Sequence, residues 1–120
     1  MAKRVLSVGN CGYDHGNLTK ALSQHFAVEL QAAATAEEAV QAVGEQAFDL
    51  ILVNRVFDTN GDSGIALIKK LKSSVKAPIM LISNYPEAQA EAVEAGAVPG
   101  FGKKVVGKPG LVAAVETYLK

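Results

Sequence analysis

Polar residues stand where several predicted strands end, and their types bear on chemistry. Asn54 closes the apolar run Leu50–Val53. Gly9 and Asn10 follow the first apolar run, and Ser83 follows another. Because the carboxyl ends of parallel strands meet at one edge of a sheet, these residues are expected to share one pocket. Amide and hydroxyl groups can exchange hydrogen bonds there, but they offer neither a carboxylate nucleophile nor a charged ligand for a metal ion.

Short apolar runs alternate with helical patterns, and this alternation predicts the elements that position the pocket. The strand-like runs are Val5–Val8, Val28–Ala32, Leu50–Val53, Ile79–Ile82 and a short segment around Phe101. Repeated strand–helix units predict an α/β fold, with a five-stranded parallel sheet and helices on both faces. The first, third and fourth runs are continuously apolar, as central strands are, whereas the second alternates and the fifth is interrupted by proline and glycine. These properties predict the strand order 2-1-3-4-5 of a flavodoxin-like three-layer sandwich.

Local signals predict where helices begin and end. The segment Gly9–Gly16 is glycine-rich and is interpreted as a flexible, solvated loop, with Asn17 capping the first helix. Thr35 and Glu38 have the spacing of a capping box, in which each side chain bonds the backbone near the other. Gly44 is a plausible end for the helix that follows.

Composition and charge limit the classes of protein to be considered. The 120 residues suit one domain, residues 1–120, and the 12 basic and 12 acidic residues cancel. A neutral chain without a basic run gives no reason to expect nucleic acid or a membrane surface as partner, and no apolar stretch reaches the ~20 residues that span a bilayer. Cys11 is the only cysteine, which is compatible with a cytoplasmic location.

Several segments share the motif pattern of one known family. Lys3–Asn10 matches an opening strand, and Ile79–Ser83 matches a fourth strand. Ala95–Ala97 followed by Phe101–Lys104 matches an Ala-Gly-Ala, aromatic and lysine pattern. Over nearly its whole length the chain resembles the receiver domains of response regulators in two-component signal transduction. The resemblance implies the same flavodoxin-like fold.

The resemblance also assigns roles to the strand-end residues. In receiver domains the residue at the place of Asn54 is an aspartate that accepts a phosphoryl group, and the places of Gly9 and Asn10 hold two acidic residues that bind magnesium. All three carboxylates are absent here. A neutral amide is a poor nucleophile, and magnesium binding is expected to be lost or weak. The sequence therefore predicts a degenerate receiver, a pseudo-receiver, that is not an enzyme and has no cofactor.

Two further positions keep family-like residues. Ser83 matches the switch hydroxyl of receivers. Lys104, rather than Lys103, keeps the three-residue step from Phe101 to the family's lysine, although Val105 replaces the usual proline. Because no carboxylate stands beside it, the Lys104 side chain is expected to swing out into solvent.

The predicted partners are proteins: a histidine kinase, or an effector that is fused or separate. The candidate interaction face carries Tyr85, Phe101 and Tyr118, since active receivers bind partners on the side formed by the fourth helix, fifth strand and fifth helix. Phe101 also fits a core aromatic that never switches. The resemblance and the missing carboxylates together predict a phosphorylation-independent interaction module in phosphorelay-type signalling.

Two alternatives remain open at this stage. The segment Gly9–Asn17 could serve a flavodoxin-like domain that binds a nucleotide, a flavin or a phosphate compound. A receiver could also remain phosphorylated through Asp58 or Asp62, in the loop after the third strand, and either residue could pair with Lys104. In the simpler interpretation of that loop, Asp58 lies in a turn and Asp62 or Ser63 caps the next helix.

Overall fold

A computed structural model describes residues 2–120, and Met1 lies outside this range. The strands are β1 (Lys3–Val8), β2 (Val28–Ala33), β3 (Leu50–Asn54), β4 (Ile79–Ile82) and β5 (Val98–Phe101). The helices are α1 (Gly12–Ser23), α2 (Ala36–Glu45), α3 (Gly64–Leu71), α4 (Pro86–Ala95) and α5 (Pro109–Leu119), with a 3₁₀ turn at Lys103–Val105. Strands and helices alternate along the chain, as predicted.

The strands form one parallel sheet in the order β2-β1-β3-β4-β5, which confirms the predicted topology. Every residue of β3 is buried, whereas β2 and β5 lie at the edges and are partly exposed. Strands covered on both faces need apolar side chains at every position, which is why the continuous runs occupy the centre.

Each face of the sheet carries its own apolar cluster. Side chains of β1, β3 and β4 that point to one face pack with α2, α3 and α4, and those on the other face pack with α1 and α5. The two clusters share the same three central strands because successive side chains of a strand point to opposite faces. No helix within residues 2–120 has both the length and the apolar character that crossing a membrane requires.

The predicted start of α1 is wrong. The helix begins at Gly12, and Cys11 is its N-cap, with the Cys11 sulfur accepting a hydrogen bond of 3.4 Å from the backbone of Asp14. Asn17 therefore lies inside the helix, and most of Gly9–Gly16 is helical rather than a solvated loop. Glycine lowers helix propensity, but the tertiary packing of α1 against the sheet outweighs that preference.

Other helix boundaries follow the sequence signals more closely. The Thr35 hydroxyl accepts a 3.2 Å bond from the backbone of Glu38, and the Glu38 carboxylate accepts one from the backbone of Ala34, close to a capping box. Helix α2 passes Gly44 by one residue before it ends. Ser63, one of the two predicted candidates, caps α3 through a 3.2 Å bond from the backbone of Ala66.

Candidate functional site

Asn54 uses its side-chain amide as a donor at the end of β3. It is 7% exposed, and its Nδ2 donates to the backbone oxygens of Gly9 at 3.1 Å and Val56 at 2.8 Å. A carboxylate has no hydrogen to donate, so an aspartate in place of Asn54 would present a negative charge to two carbonyl oxygens. The amide is therefore part of the structure that joins β1 to the β3–α3 loop.

Phe57 occupies the space beside Gly9. Its side chain is 1% exposed, and a Cβ atom added to Gly9 would overlap its aromatic ring. Gly9 also has a φ of 76°, in the left-handed region that favours glycine. The backbone of Asp58 donates a 2.9 Å bond to the Gly9 oxygen, which holds the loop in this position. A buried ring thus lies where an acidic side chain on residue 9 would have to be accommodated.

Asn10 is also engaged within the protein. Its Nδ2 donates a 2.8 Å bond to the hydroxyl of Ser7, a residue that is 1% exposed on β1. A magnesium site needs anionic oxygen ligands. Gly9 has no side chain, and Asn10 and Asn54 carry neutral amides, so these three residues do not fit such a site. Within residues 2–120 no group of three or more His, Cys, Asp or Glu side chains lies close enough to hold a metal ion.

The β3–α3 loop closes on itself beside this site. Val56 and Ser63 form an antiparallel bridge, and the backbone of Phe57 donates a 2.9 Å bond to the oxygen of Asp62. The side chains of Asp58 and Asp62 are exposed, and neither lines the cleft that contains Asn54. The loop thus places an aromatic ring in the interior and leaves its carboxylates at the surface.

A cleft of about 260 Å³ remains above Asn54. It is lined by Asn54, Arg55, Val56, Ile82, Ser83, Asn84, Tyr85 and Lys103. The predicted preference for Lys104 over Lys103 as the pocket lysine is thus not what the structure has. The backbone of Lys104 donates a 3.2 Å bond to Asn84. Both lysines lie in the 3₁₀ turn and are exposed, but Lys103 lines the cleft and Lys104 does not.

Lys103 has a carboxylate partner that the sequence reasoning missed. Its Nζ lies 2.8 Å from the Oδ2 of Asp14 on α1. The hydrogen bond from Lys103 lowers the pKa of the Asp14 carboxyl below its ordinary value of 3.8, partial burial opposes this shift, and the Lys103 charge and Cys11 contribute to it. The ion pair ties α1 to the segment that follows β5, and it adjoins a second cleft, of about 390 Å³, that Asn10 and Asn17 also line.

Ser83 follows β4 and Phe101 ends β5, and contacts within the protein hold both in place. Ser83 is 7% exposed, and its hydroxyl accepts a 3.1 Å bond from the backbone of Tyr85 at the start of α4. Phe101 is 5% exposed and belongs to the core on the α1–α5 face. The prediction that Phe101 contributes to an interaction face is therefore wrong in this conformation, because its ring is inside the protein.

Gln89 is a structural residue that sequence reasoning did not single out. Its Nε2 lies within hydrogen-bond distance of the oxygens of Leu81, Ser83 and Phe101, at 2.9, 3.1 and 3.3 Å. Its Oε1 accepts a 3.2 Å bond from the backbone of Gly100. The register of β4 and β5 shifts at this point, so one glutamine on α4 replaces the missing ladder bonds. The only sequence signal was a polar residue between the buried Ala88 and Ala92.

Tyr85 and Tyr118 differ in their availability to a partner. Tyr85 is 53% exposed, and the guanidinium carbon of Arg55 lies 4.9 Å from the centroid of its ring. A cation over a ring face at this distance is attracted to it. Tyr118 is half-buried against the α1–α5 core. Of the three aromatic residues proposed for the interaction face, Tyr85 is the one with most of its surface in solvent.

The sheet order, the helices on both faces and the pocket at the carboxyl ends of β1 and β3 define a class of fold, the flavodoxin-like receiver fold. The receiver domain of NtrX from Brucella abortus superposes with a TM-score of 0.83 at 23% identity, over 96% of this chain and 97% of that one. A putative response regulator from Chloroflexus aurantiacus J-10-fl superposes with a TM-score of 0.84 at 22% identity, over 98% of each chain. The chain thus has the fold of response-regulator receiver domains.

Longer proteins also contain this fold. A response regulator from Burkholderia pseudomallei, determined with a phosphorylated aspartic acid, calcium ion and citrate, matches with a TM-score of 0.75 at 24% identity, over 98% of this chain and 66% of that one. NtrX from Brucella abortus matches at 24% identity with a TM-score of 0.84, over 99% of this chain but 27% of its own length. This chain therefore spans about a quarter of that protein. No family model and no curated protein sequence matches the chain.

Proposed function

We propose that this chain is a degenerate receiver domain that acts as a protein-interaction module in two-component signalling, without aspartyl phosphorylation. The observation that carries the proposal is the Asn54 amide, which donates to the Gly9 and Val56 oxygens beside the buried ring of Phe57. Where a phosphorylatable receiver needs a nucleophile and a metal ion, this chain has an internal hydrogen-bond network and an aromatic side chain.

The chemistry of phosphoryl transfer supports the same conclusion. Transfer to a side chain needs a nucleophilic oxygen, and the charge of the moving group must be neutralised by cations. The Asn54 oxygen is an amide oxygen, and the Lys103 charge is already paired with Asp14. None of the three strand-end positions supplies a carboxylate for magnesium.

The contacts around β5 favour a fixed surface over a phosphorylation-driven switch. The Ser83 hydroxyl accepts a hydrogen bond from the backbone of Tyr85, Phe101 lies in the core, and Gln89 joins α4 to β4 and β5. We infer that signalling depends on which protein binds this surface. The partners are a histidine kinase or an effector, fused or separate, in the cytoplasm, and not nucleic acid or membrane.

The decisive experiment is incubation with acetyl phosphate and Mg²⁺ followed by intact mass measurement. We expect the mass of this protein to stay unchanged, while the Burkholderia pseudomallei response regulator, whose structure contains a phosphorylated aspartic acid, serves as positive control. A phosphoryl adduct would overturn the proposal. Peptide mapping of such an adduct to Asp58 or Asp62 would instead support the alternative in which the loop restores phosphotransfer.

The small-ligand alternative has weaker support. The cleft of about 390 Å³ beside α1 is large enough for a small molecule, but the ion pair between Lys103 and Asp14 neutralises a cation that an anionic ligand would need. Thermal unfolding in the presence of nucleotides, flavins and phosphate compounds tests it directly. Stabilisation by any of them would favour this alternative, and we expect none.

A further inference from the structure

A groove between the β3–α3 loop and α4 combines exposed apolar side chains with two carboxylates that form no ion pair within residues 2–120. It measures about 350 Å³ and is lined by Arg55, Val56, Gly61, Ser63, Ile65, Tyr85, Glu87, Ala88 and Glu91. We call it the α3–α4 groove. It shares Arg55, Val56 and Tyr85 with the cleft above Asn54, so the two form one continuous surface.

The apolar part of the groove is unusually exposed. Val56 is 42% exposed and Tyr85 is 53% exposed, and both belong to the small set of large hydrophobic side chains that stand in solvent in residues 2–120. The Arg55 guanidinium lies 4.9 Å from the Tyr85 ring centroid, and its attraction to the ring favours one ring position. A side chain that already prefers one position loses less conformational entropy when a partner covers it.

The acidic part lies on α4. Glu87 and Glu91 are one helical turn apart on the same face, and both are exposed. Like charges at this spacing repel each other slightly. Helix α4 contains no lysine or arginine, and the ion pair between Lys103 and Asp14 is the only one that the described part of the chain contains. Two carboxylates of the groove are therefore available to an external cation.

We propose that the α3–α4 groove docks a segment of a partner protein in which an apolar side chain is flanked by lysine or arginine. The apolar residue would cover Val56 and Tyr85, and the basic residues would pair with Glu87 and Glu91. The groove carries two carboxylates and one guanidinium, and that guanidinium, from Arg55, lies over the Tyr85 ring. The excess of negative charge favours a basic occupant, since an acidic segment or a nucleic acid backbone would meet the two carboxylates. The proposal rests on the proposed function as an interaction module and names the surface and the chemistry of its partner.

The test begins with selection from a phage-displayed library of random peptides of about 12 residues against the whole protein. We expect enriched peptides that carry an apolar residue flanked by basic ones. The tightest peptide, synthesised with a fluorescent label, should shift the backbone amide NMR signals of Val56, Tyr85, Glu87 and Glu91. Its affinity should fall as salt is raised, because the contacting charges lie at the surface.

Variants separate the groove from a general charge effect. The double variant Glu87→Lys/Glu91→Lys should weaken binding of the labelled peptide at least about tenfold, and Tyr85→Ala should also weaken it. The matched control Glu45→Lys/Glu94→Lys changes the net charge equally and includes α4, but neither residue lines the groove, so affinity should stay within about twofold. Circular dichroism checks that each variant is folded.

The proposal fails if no peptide is enriched, if enriched peptides are acidic, if the NMR shifts map elsewhere, or if groove and control variants bind equally. None of these outcomes tests the proposed absence of aspartyl phosphorylation. The acetyl phosphate experiment tests that proposal separately. A phosphoryl adduct with intact peptide binding would overturn the proposed function and leave the groove in place.

Discussion

The Asn54 side chain donates hydrogen bonds, which an ionised aspartate at the same position could not do. Asn54 donates to two backbone oxygens, Gly9 leaves room for the Phe57 ring, and Asn10 donates to Ser7. Each substituted position thus has a structural role of its own. The side-chain nitrogens of both asparagines are thus hydrogen-bonded within the fold.

Restoring the aspartate should therefore cost stability rather than restore chemistry. For Asn54→Asp we expect the free energy of unfolding at neutral pH to fall by about 1–3 kcal/mol, since two carbonyl oxygens lose a donor and face a charge. Urea denaturation measures this, and the loss should shrink near pH ~4, where a protonated carboxyl can donate. A variant as stable as the original at neutral pH, or one that gains a phosphoryl adduct, would contradict the structural role of the amide.

The ion pair between Asp14 and Lys103 predicts a pH dependence. Because the folded pKa of Asp14 lies below its ordinary value, the pair stabilises the protein fully at neutral pH, and this contribution is lost as pH falls through the folded pKa. Both side chains are partly exposed, so Asp14→Asn should lower the free energy of unfolding by less than about 1 kcal/mol at neutral pH.

Comparing Asp14→Asn with the original protein by urea denaturation across the acid range checks the sign. The difference should disappear once the pH lies below the folded pKa of Asp14, where the carboxyl is protonated in both folded and unfolded states. Lys103→Gln should cost a similar amount, and the double variant little more, since both remove one interaction. Additive losses would show that the two residues act independently.

At the scale of elements, two segments hold the site in one conformation. The β3–α3 loop packs Phe57 beside Gly9 after the end of β1, and α4 places the Gln89 amide beside the irregular β4–β5 pairing. Both segments join neighbouring strands at the carboxyl edge of the sheet. They restrain the backbone around the ends of β1, β4 and β5.

Phe57 should be among the most sensitive positions of the chain. Phe57→Ala removes a ring that is 1% exposed, and the cavity left beside Gly9 should lower the free energy of unfolding by about 3–5 kcal/mol. The neighbouring Val56 is 42% exposed, so Val56→Ala in the same loop should change it by less than about 0.5 kcal/mol. Thermal and urea unfolding of both variants measure the contrast, and equal effects would argue against a packed ring.

Gln89 should control the local stability of β5. In Gln89→Ala the Gly100 amide loses its acceptor, so its hydrogen exchange should accelerate, and the free energy of unfolding should fall by about 1–3 kcal/mol. The control Gln41→Ala removes an exposed glutamine of α2 whose hydrogen bond is to Glu45, and should cost under about 0.5 kcal/mol. Unchanged Gly100 exchange in Gln89→Ala would exclude the bridging role.

At the scale of the whole molecule, the two apolar clusters share the central strands β1, β3 and β4. Loss of either helical layer would expose strand side chains that the other layer cannot cover. The fold should therefore respond to denaturant as one unit, which is the physical content of the prediction that residues 1–120 form a single domain.

We expect one cooperative thermal transition. Calorimetric and van't Hoff enthalpies should agree, and far-ultraviolet circular dichroism should report the same midpoint as tyrosine fluorescence. Two resolved transitions, or a midpoint that depends on the probe, would show that one layer unfolds before the other and would contradict the single-domain prediction.

Much of this architecture was predictable from local patterns. Apolar runs of strand length, their alternation with helical patterns and the Thr35 capping box predicted the sheet order, the central strands and one helix start, because each depends on neighbours in the sequence. The start of α1 was predicted wrongly, since packing against the sheet stabilises a helix through Gly12 and Gly16 that propensity alone disfavours. Phe101 was placed correctly on β5, but its ring was predicted to contribute to an interaction face and is buried. Its burial depends on packing in the core on the α1–α5 face, which the residues around Phe101 in the sequence do not determine.

The sequence by itself determined the fold and the absence of a carboxylate at Gly9, Asn10 and Asn54, since those follow from residue types and their order. Only the tertiary structure decided which groups these residues contact. The Asn54–Gly9 bond joins residues 45 positions apart, and the Lys103–Asp14 bond joins residues 89 positions apart. Such contacts depend on the direction of the side chains in the folded sheet, which no local sequence pattern predicts. The physical reason is that Asn54, Phe57 and Lys103 contact residues that are distant in the sequence and become neighbours only in the folded protein.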